Sequence, residues 1–401
     1  MKTTTLFTHV TLINGLGGTP LEDASLLVEN GSIVFVGNKQ PTEIPQEYVV
    51  KDCTGQFMIP GLVDCHIHMD LHGFADTFQE NLIDDKLRTL RAAKEMNDTL
   101  RAGFTTVRNV GSVNHIDFAV KAGIEAGYFQ GPRIVTAGRI ISMTCSGTEY
   151  FDGMYRIADG VDDCRKAARE QLRAGADLLK LMATGAVMNP GGVPGAPQLN
   201  VDEMKAVVEE GMKLGKHTAA HAHAAQGIIN AVKAGVHTIE HGTMADEKAL
   251  EAMAKAGTYL IPTISHHDLF EAHSNEIPKF MLEKSRGMKS TYINIAKKAV
   301  KMGIKLAMGT DAGTNYNYHG NNAAEIIFLV DHGILTPMAA IEATSRTAAQ
   351  AIMMDDKIGT LEPGKQADFV LLTENPLKRI NVLTDPDGIV AVYKKGELVT
   401  L

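Results

Sequence analysis

The chain changes hydrophobic rhythm twice. At the start, TLFTHVTLING, DASLLVENGSIVFVG and YVVKDCTGQF alternate apolar and polar residues between Gly and Asn turns, and ADFVLLTENP and GIVAVYKKGELVTL do the same at the end. Period-two patterning predicts half-buried strands, and NGS at residues 30–32 suits a tight hairpin. The two strand-rich ends, 1–57 and 358–401, are therefore expected to build one small β-sandwich domain.

Residues 58–357 follow another pattern. Eight short apolar runs, MIPGLVDCHIH, GFTTVRNV, RIVTAG, DLLKLMAT, HTAAHAH, TIEHG, YLIPTIS and KLAMGTDAG, are each followed by a helical or loop segment. Alternating βα units predict a parallel sheet, and eight in succession predict an α/β fold of the (β/α)8 TIM-like barrel type. Helix boundaries are marked as well. Asn200 with Glu203 resembles a capping box, with Gly215 near the stop, and Thr336 precedes an N1 proline, Pro337. The Gly/Pro-rich loop 189–198 follows the fourth run, so it is expected over the barrel mouth.

Charge and composition narrow the function. The chain has 401 residues, a formal net charge of −8 and no Lys/Arg-rich block, which argues against a nucleic-acid partner. No run reaches the ~18 apolar residues of a membrane span. The N-terminus lacks the apolar stretch of a secretion signal, so a cytoplasmic location is expected. Cys53, Cys65, Cys145 and Cys164 form no C-x-x-C pair and read as free thiols. Cys65, beside His66, is expected to pack rather than ligate. The oligomeric state is left open, a homo-oligomer included.

Barrel enzymes place their chemistry at strand C-termini. His66 and His68 end the first run, Lys180 lies in the fourth, His221 and His223 end the fifth, His241 the sixth and Asp311 the eighth. Histidines at i and i+2 on a strand face the same way and can grip one metal ion. Singly, each has a plainer reading: a core histidine, a turn aspartate, a lysine paired to a carboxylate. Their placement at the ends of five strands that would converge favours a site for divalent metal, zinc first among Zn, Mn, Fe and Co. Lys180 in an otherwise apolar strand is the unexpected member. It is either ion-paired or an amine that has captured CO2 to become an anionic carbamate.

The segments IPGLVDCHIH, AGFTTVRNVG, GADLLKLMATG, HTAAHAH, TIEHG, GTDAG and IGTLEPGKQADFVLL resemble the amidohydrolase superfamily over nearly the whole chain. The order H-x-H, Lys, His, His, Asp is similar to its binuclear branch. That resemblance implies two divalent metal ions. His66, His68 and Asp311 would hold the more buried ion, and His221 and His241 the other. Lys180 as N6-carboxylysine and a hydroxide would bridge them, and Asp311 would serve as general base and then general acid. Within the branch the chain is similar to Xaa-Pro dipeptidases, metal-dependent carboxypeptidases and imidazolonepropionase-related proteins. This implies a small-molecule substrate cleaved at an amide bond, a dipeptide or N-acyl amino acid, with His223 helping to hold its carboxylate. A second helper in the dipeptidases lies in a Gly-Gly-His-Gly segment after strand three. Here TCSGTEY, residues 144–150, stands there with Gly147 in place of histidine, which predicts extra room. His266, His267, Tyr316, Tyr318 and His319 are further candidates for the pocket wall, each with an alternative reading as a surface loop residue.

Rival chemistries share the barrel. A cyclic amide, urea, carbamate or ester is the alternative substrate on the same site. Mononuclear deaminases usually lack the strand-four lysine and carry a Glu after the strand-five His, where this chain has Ala224. A scaffold that had lost its metals would not be expected to keep all six ligands.

Overall fold

The computed structural model describes residues 4–38, 41, 47–289 and 291–400. Among them the two ends of the chain form one eight-stranded sheet. Its order is Glu397–Leu398, Ile389–Lys394, Phe369–Leu372, Phe57–Pro60, Thr4–Leu12, Leu21–Glu29 and Ser32–Gly37, with Val49–Asp52 also paired to Thr4–Leu12. The strands of the expected small β-sandwich are thus joined in a single hydrogen-bonded sheet that branches. Thr4–Leu12 is long enough to take Val49–Asp52 along its first half and Phe57–Pro60 at its end. Phe7 anchors the apolar core, with its ring edge-on to Phe369 and Tyr393 at 5.0 and 5.1 Å. The hairpin turn lies at Asn30 and Gly31, both in the left-handed region (φ 49° and 81°), as a two-residue type I′ turn requires.

The first long apolar run divides. Phe57–Pro60 pairs with the terminal sheet, and Leu62–Ile67 begins the parallel strands. Gly61 separates the two, and a Cβ there would lie 2.3 Å from Thr105 Oγ1. Parallel strands then follow the expected runs. Leu62–Ile67, Phe104–Asn109 and Arg133–Thr136 form one sheet. Leu179–Met182, Thr218–Ala224, Thr238–Met244 and Tyr259–Ile261 belong to a second, extended by Ile140–Ser142 and Tyr155–Ile157, which the sequence reading did not foresee.

The eighth run, 305–313, forms no ladder. It touches both sheets through single parallel bridges, Leu260 to Leu306 and Ile67 to Ala312. On the other side, Asp177 N donates to Thr136 O at 2.7 Å. The strands are buried on both faces, and helices carry their alanine-rich sides against them, as parallel sheets demand. Asn200 and Glu203 form the capping box of Val201–Met212, and Thr336 Oγ1 accepts from Ala339 N with Pro337 in the first turn. No described helix is long and apolar enough to cross a membrane.

Candidate active site

His66, His68, Lys180, His221, His223, His241 and Asp311 all line one cavity at the C-terminal ends of the parallel strands. His66, His241 and Asp311 each place a ligand atom within 4.8 Å of the others. Asp311 Oδ1 lies 3.3 Å from His66 Nε2 and 3.5 Å from His68 Nε2. Local backbone fixes the carboxylate. Asp311 N donates to His66 O at 2.7 Å, and Asp311 itself is in the left-handed region, φ 62°. Buried Asp64 takes Thr310 Oγ1 at 2.6 Å, Asn322 Nδ2 at 2.7 Å and His66 N at 3.0 Å, tying the first strand to the aspartate loop.

Second partners fix the imidazoles. His66 donates from Nδ1 to Glu240 Oε2 at 2.7 Å, and His68 from Nδ1 to Gly111 O at 3.0 Å. In the neutral form each then presents a bare Nε2 to Asp311 Oδ1. Burial lowers the His68 pKa to about 4 despite the pull of Asp311. Burial opposes ionisation of Asp311, but His66 and His68 outweigh it and hold the carboxyl below its ordinary range. With both rings neutral, two lone pairs and an anionic oxygen would face one another with no hydrogen between them, an arrangement that a cation satisfies. His221 Nε2 is 3.3 Å from Gly185 O, which can only accept, so Nε2 carries the hydrogen and Nδ1 is the bare nitrogen of the neutral ring. His241 Nδ1 lies 2.7 Å from Thr263 Oγ1. Burial lowers His221 to about 3 and pushes His241 well down, so both rings are neutral.

Lys180 is almost fully buried, and no hydrogen bond or ion pair involves its Nζ among the described residues. Burial lowers its pKa to about 8, against the opposing pull of Glu240 and Asp311. For the plainer reading, an ion-paired lysine, the carboxylates that act on Nζ are Glu240 and Asp311, and neither forms an ion pair with it among the described residues.

The sequence reading missed a buried charge relay behind the site. Glu240 accepts from Arg108 Nη2 at 2.8 and 3.0 Å and from Thr238 Oγ1 at 2.5 Å, and Arg108 Nε donates to Cys65 O at 2.5 Å. Burial alone would neutralise Glu240, but Arg108 and His66 overcome it and keep the carboxylate charged. Cys65 packs away from the cavity with its thiol toward Ala348 O, as expected.

Of the further candidates, the structure brings His266 to the cavity. His267 stacks on Tyr292, Tyr316 donates to Glu276, Tyr318 is half exposed, and His319 donates to the carbonyl region of His68 and Leu71. The extra room expected at Gly147 is filled. A Cβ there would meet Pro190 O at 2.5 Å and Pro190 N at 2.8 Å, because the 189–198 loop folds down onto it. Phe151, Met154, Tyr155 and Asn189 line the cavity from these segments without having been anticipated.

Similarity to known proteins agrees with this architecture. The amidohydrolase family model matches residues 57–399. Ochratoxinase from Aspergillus niger is 30% identical over 95% of this chain and 84% of its own. The crystal structure of a Xaa-Pro dipeptidase with methionine bound in the active site superposes with a TM-score of 0.90 at 30% identity, covering 99% of both chains. A prolidase complexed with N-methylphosphonate-L-proline does so with a TM-score of 0.90 at 27% identity, again covering 99% of both. The chain belongs to the amidohydrolase family. It is a hydrolase of carbon–nitrogen bonds, acting on small-molecule amides, and its His/Asp cluster fits a metal site.

Proposed function

We propose that the enzyme hydrolyses the amide bond of a dipeptide or N-acyl amino acid whose leaving part carries a free carboxylate. The observation that carries this reading is His223, a buried histidine beside the metal-type donors that is not needed as one of them. Its ring stacks on His241 at 5.0 Å, its backbone N donates to Thr184 Oγ1 at 3.0 Å, and its Nδ1 lies 2.8 Å from Thr243 Oγ1. Thr243 Oγ1 also lies 3.4 Å from Met288 Sδ, and in the tautomer in which its hydroxyl donates to His223 Nδ1 instead, Nε2–H is free to donate to a substrate anion. Burial, with His221 and His266 nearby, keeps the ring neutral, so the anion supplies the charge in that hydrogen bond. Methionine in the active site of the related dipeptidase and the proline analogue in the related prolidase support an amino acid at this end.

His66, His68 and Asp311 would hold one divalent ion, and His221 and His241 a second, with Lys180 as a carbamate between them; zinc suits this donor set. Such ions would lower the pKa of water and polarise the scissile carbonyl. Asp311 accepts the proton of the attacking water and returns it to the leaving nitrogen. Neutral Lys180 Nζ adds CO2 and releases a proton, replacing a cation that two metal ions would repel with an anion that they attract. We further infer that the two parallel sheets close through segment 305–313 into a (β/α)8 barrel spanning 58–357, supported by the bridges at Leu306 and Ala312.

The test is a matched substrate pair, one with the leaving-side carboxylate free and one amidated. A hydrogen bond to a charged group contributes about 1.5–3 kcal/mol, so the free acid should lead by at least about tenfold in kcat/KM. His223→Ala should remove most of that lead while metal content holds. Equal cleavage of the amidated substrate overturns the reading and favours a neutral cyclic amide, urea, carbamate or ester.

A further inference from the structure

The cavity wall away from the histidines is apolar. Phe151 and Met154 come from the segment after the third strand, Met182, Val187 and Met188 from the fourth strand and its loop, and Phe270 from helix His266–Ala272. Phe151, Met154 and Met182 belong to one buried cluster, Val187 and Phe270 to another, and the cavity lies where the two clusters meet. Asp311 is the only carboxylate among the described residues lining it. Position ties this wall to the leaving side. Met182 is in register with His221, and Thr184 is hydrogen-bonded to His223, so this strand end lies beside the proposed carboxylate partner, and Val187 and Met188 line the same cavity.

We propose that the leaving amino acid carries a bulky, uncharged, apolar side chain, seated on the Met182, Val187 and Met188 wall and closed over by Phe270. This rests on the carboxylate reading of His223. The side chain and the carboxylate share one carbon, so a carboxylate at His223 delivers the side chain to that wall. Methionines adapt to differently shaped apolar groups, which permits Phe, Leu and Met alike. A lysine or arginine side chain would be desolvated there without a counter-charge, because Asp311, the only carboxylate among the described residues lining the cavity, is committed in the proposed site to the ion that it would hold with His66 and His68. An acidic side chain would face the same loss.

The experiment compares N-acetyl derivatives of Phe, Leu, Met, Lys, Arg and Asp with metal-reconstituted enzyme. The apolar members should exceed Lys, Arg and Asp by at least ~30-fold in kcat/KM, the scale on which burying an unpaired charge is penalised. Met188→Glu should raise relative activity on the Lys and Arg substrates by at least about tenfold over Met188→Gln, which controls for altered shape. Met188 is partly buried on a loop and packs against both clusters, so Met188→Gln also controls for any loss of fold, read as thermal stability. Lys or Arg substrates cleaved as well as Phe by the unaltered enzyme overturn this inference alone, provided that free acids still beat amides. A series in which amidated substrates match the acids overturns the carboxylate reading and this inference with it.

Discussion

His66 hands its Nδ1 hydrogen to Glu240 across 2.7 Å, with both side chains buried, and this single contact decides which nitrogen faces Asp311. Because Arg108 and Thr238 hold Glu240 as a charged acceptor, the reverse tautomer would set a bare nitrogen against a carboxylate. Partners of this kind typically contribute ~10–100-fold to metal affinity. Glu240→Gln should weaken metal binding by that factor, measured by competition with a chelating dye. Unchanged affinity would show that His66 is oriented by packing alone.

Lys180 is tested through what replaces it. Lys180→Ala should lose most bound metal and activity, and acetate or propionate should restore part of both by standing in for the carbamate. A variant with full metal content and full rate removes Lys180 from the centre.

Gly147 has a conformational role. It adopts φ 85°, and its Cα faces the backbone of Pro190. Gly147→Ala should cost about 1–3 kcal/mol, from strain in the left-handed region plus the displaced loop. Thermal denaturation reads this directly, and an unchanged Tm would mean that the space is open after all.

The pH dependence of stability has a defined sign at His319. Burial lowers its pKa to about 4 from an ordinary 6.5, while Nε2 donates to the carbonyls of His68 and Leu71 and Nδ1 is buried without a partner among the described residues. The unfolded chain takes up a proton below pH 6.5 and the folded chain resists until about 4, so this contribution is complete above 6.5 and is lost across that window. His319→Gln should flatten part of the fall in Tm between pH 6.5 and 4. A variant curve parallel to the original would contradict this.

Much of this was legible in the sequence. Seven of the apolar runs became parallel strands because their burial on both faces leaves a continuous apolar signature. The eighth, KLAMGTDAG, read as a strand, and its backbone does bond to both neighbours, from Leu260 N to Lys305 O and Ala307 N to Leu260 O on one side and from Cys65 N to Met308 O and Asp311 N to His66 O on the other. With the left-handed residue Asp311 inside it, however, only Leu306 and Ala312 bridge. Ile140–Ser142 and Tyr155–Ile157 were too short to carry a period. The relay behind His66 was readable by the rule that singled out Lys180, a charged residue inside an apolar strand. Arg108 in FTTVRN and Glu240 in TIEHG satisfy it equally. The filled space at Gly147 was not readable, because it depends on a loop some forty residues away in the chain.

Metal dependence is the claim on which the rest stands, and the most direct measurement is metal content against turnover on one preparation. Chelated enzyme should be inactive on an N-acyl amino acid, and activity should return in proportion to added Zn²⁺ and saturate at about two equivalents per chain, as a two-ion centre requires. Full turnover by protein stripped of metal would contradict the account outright.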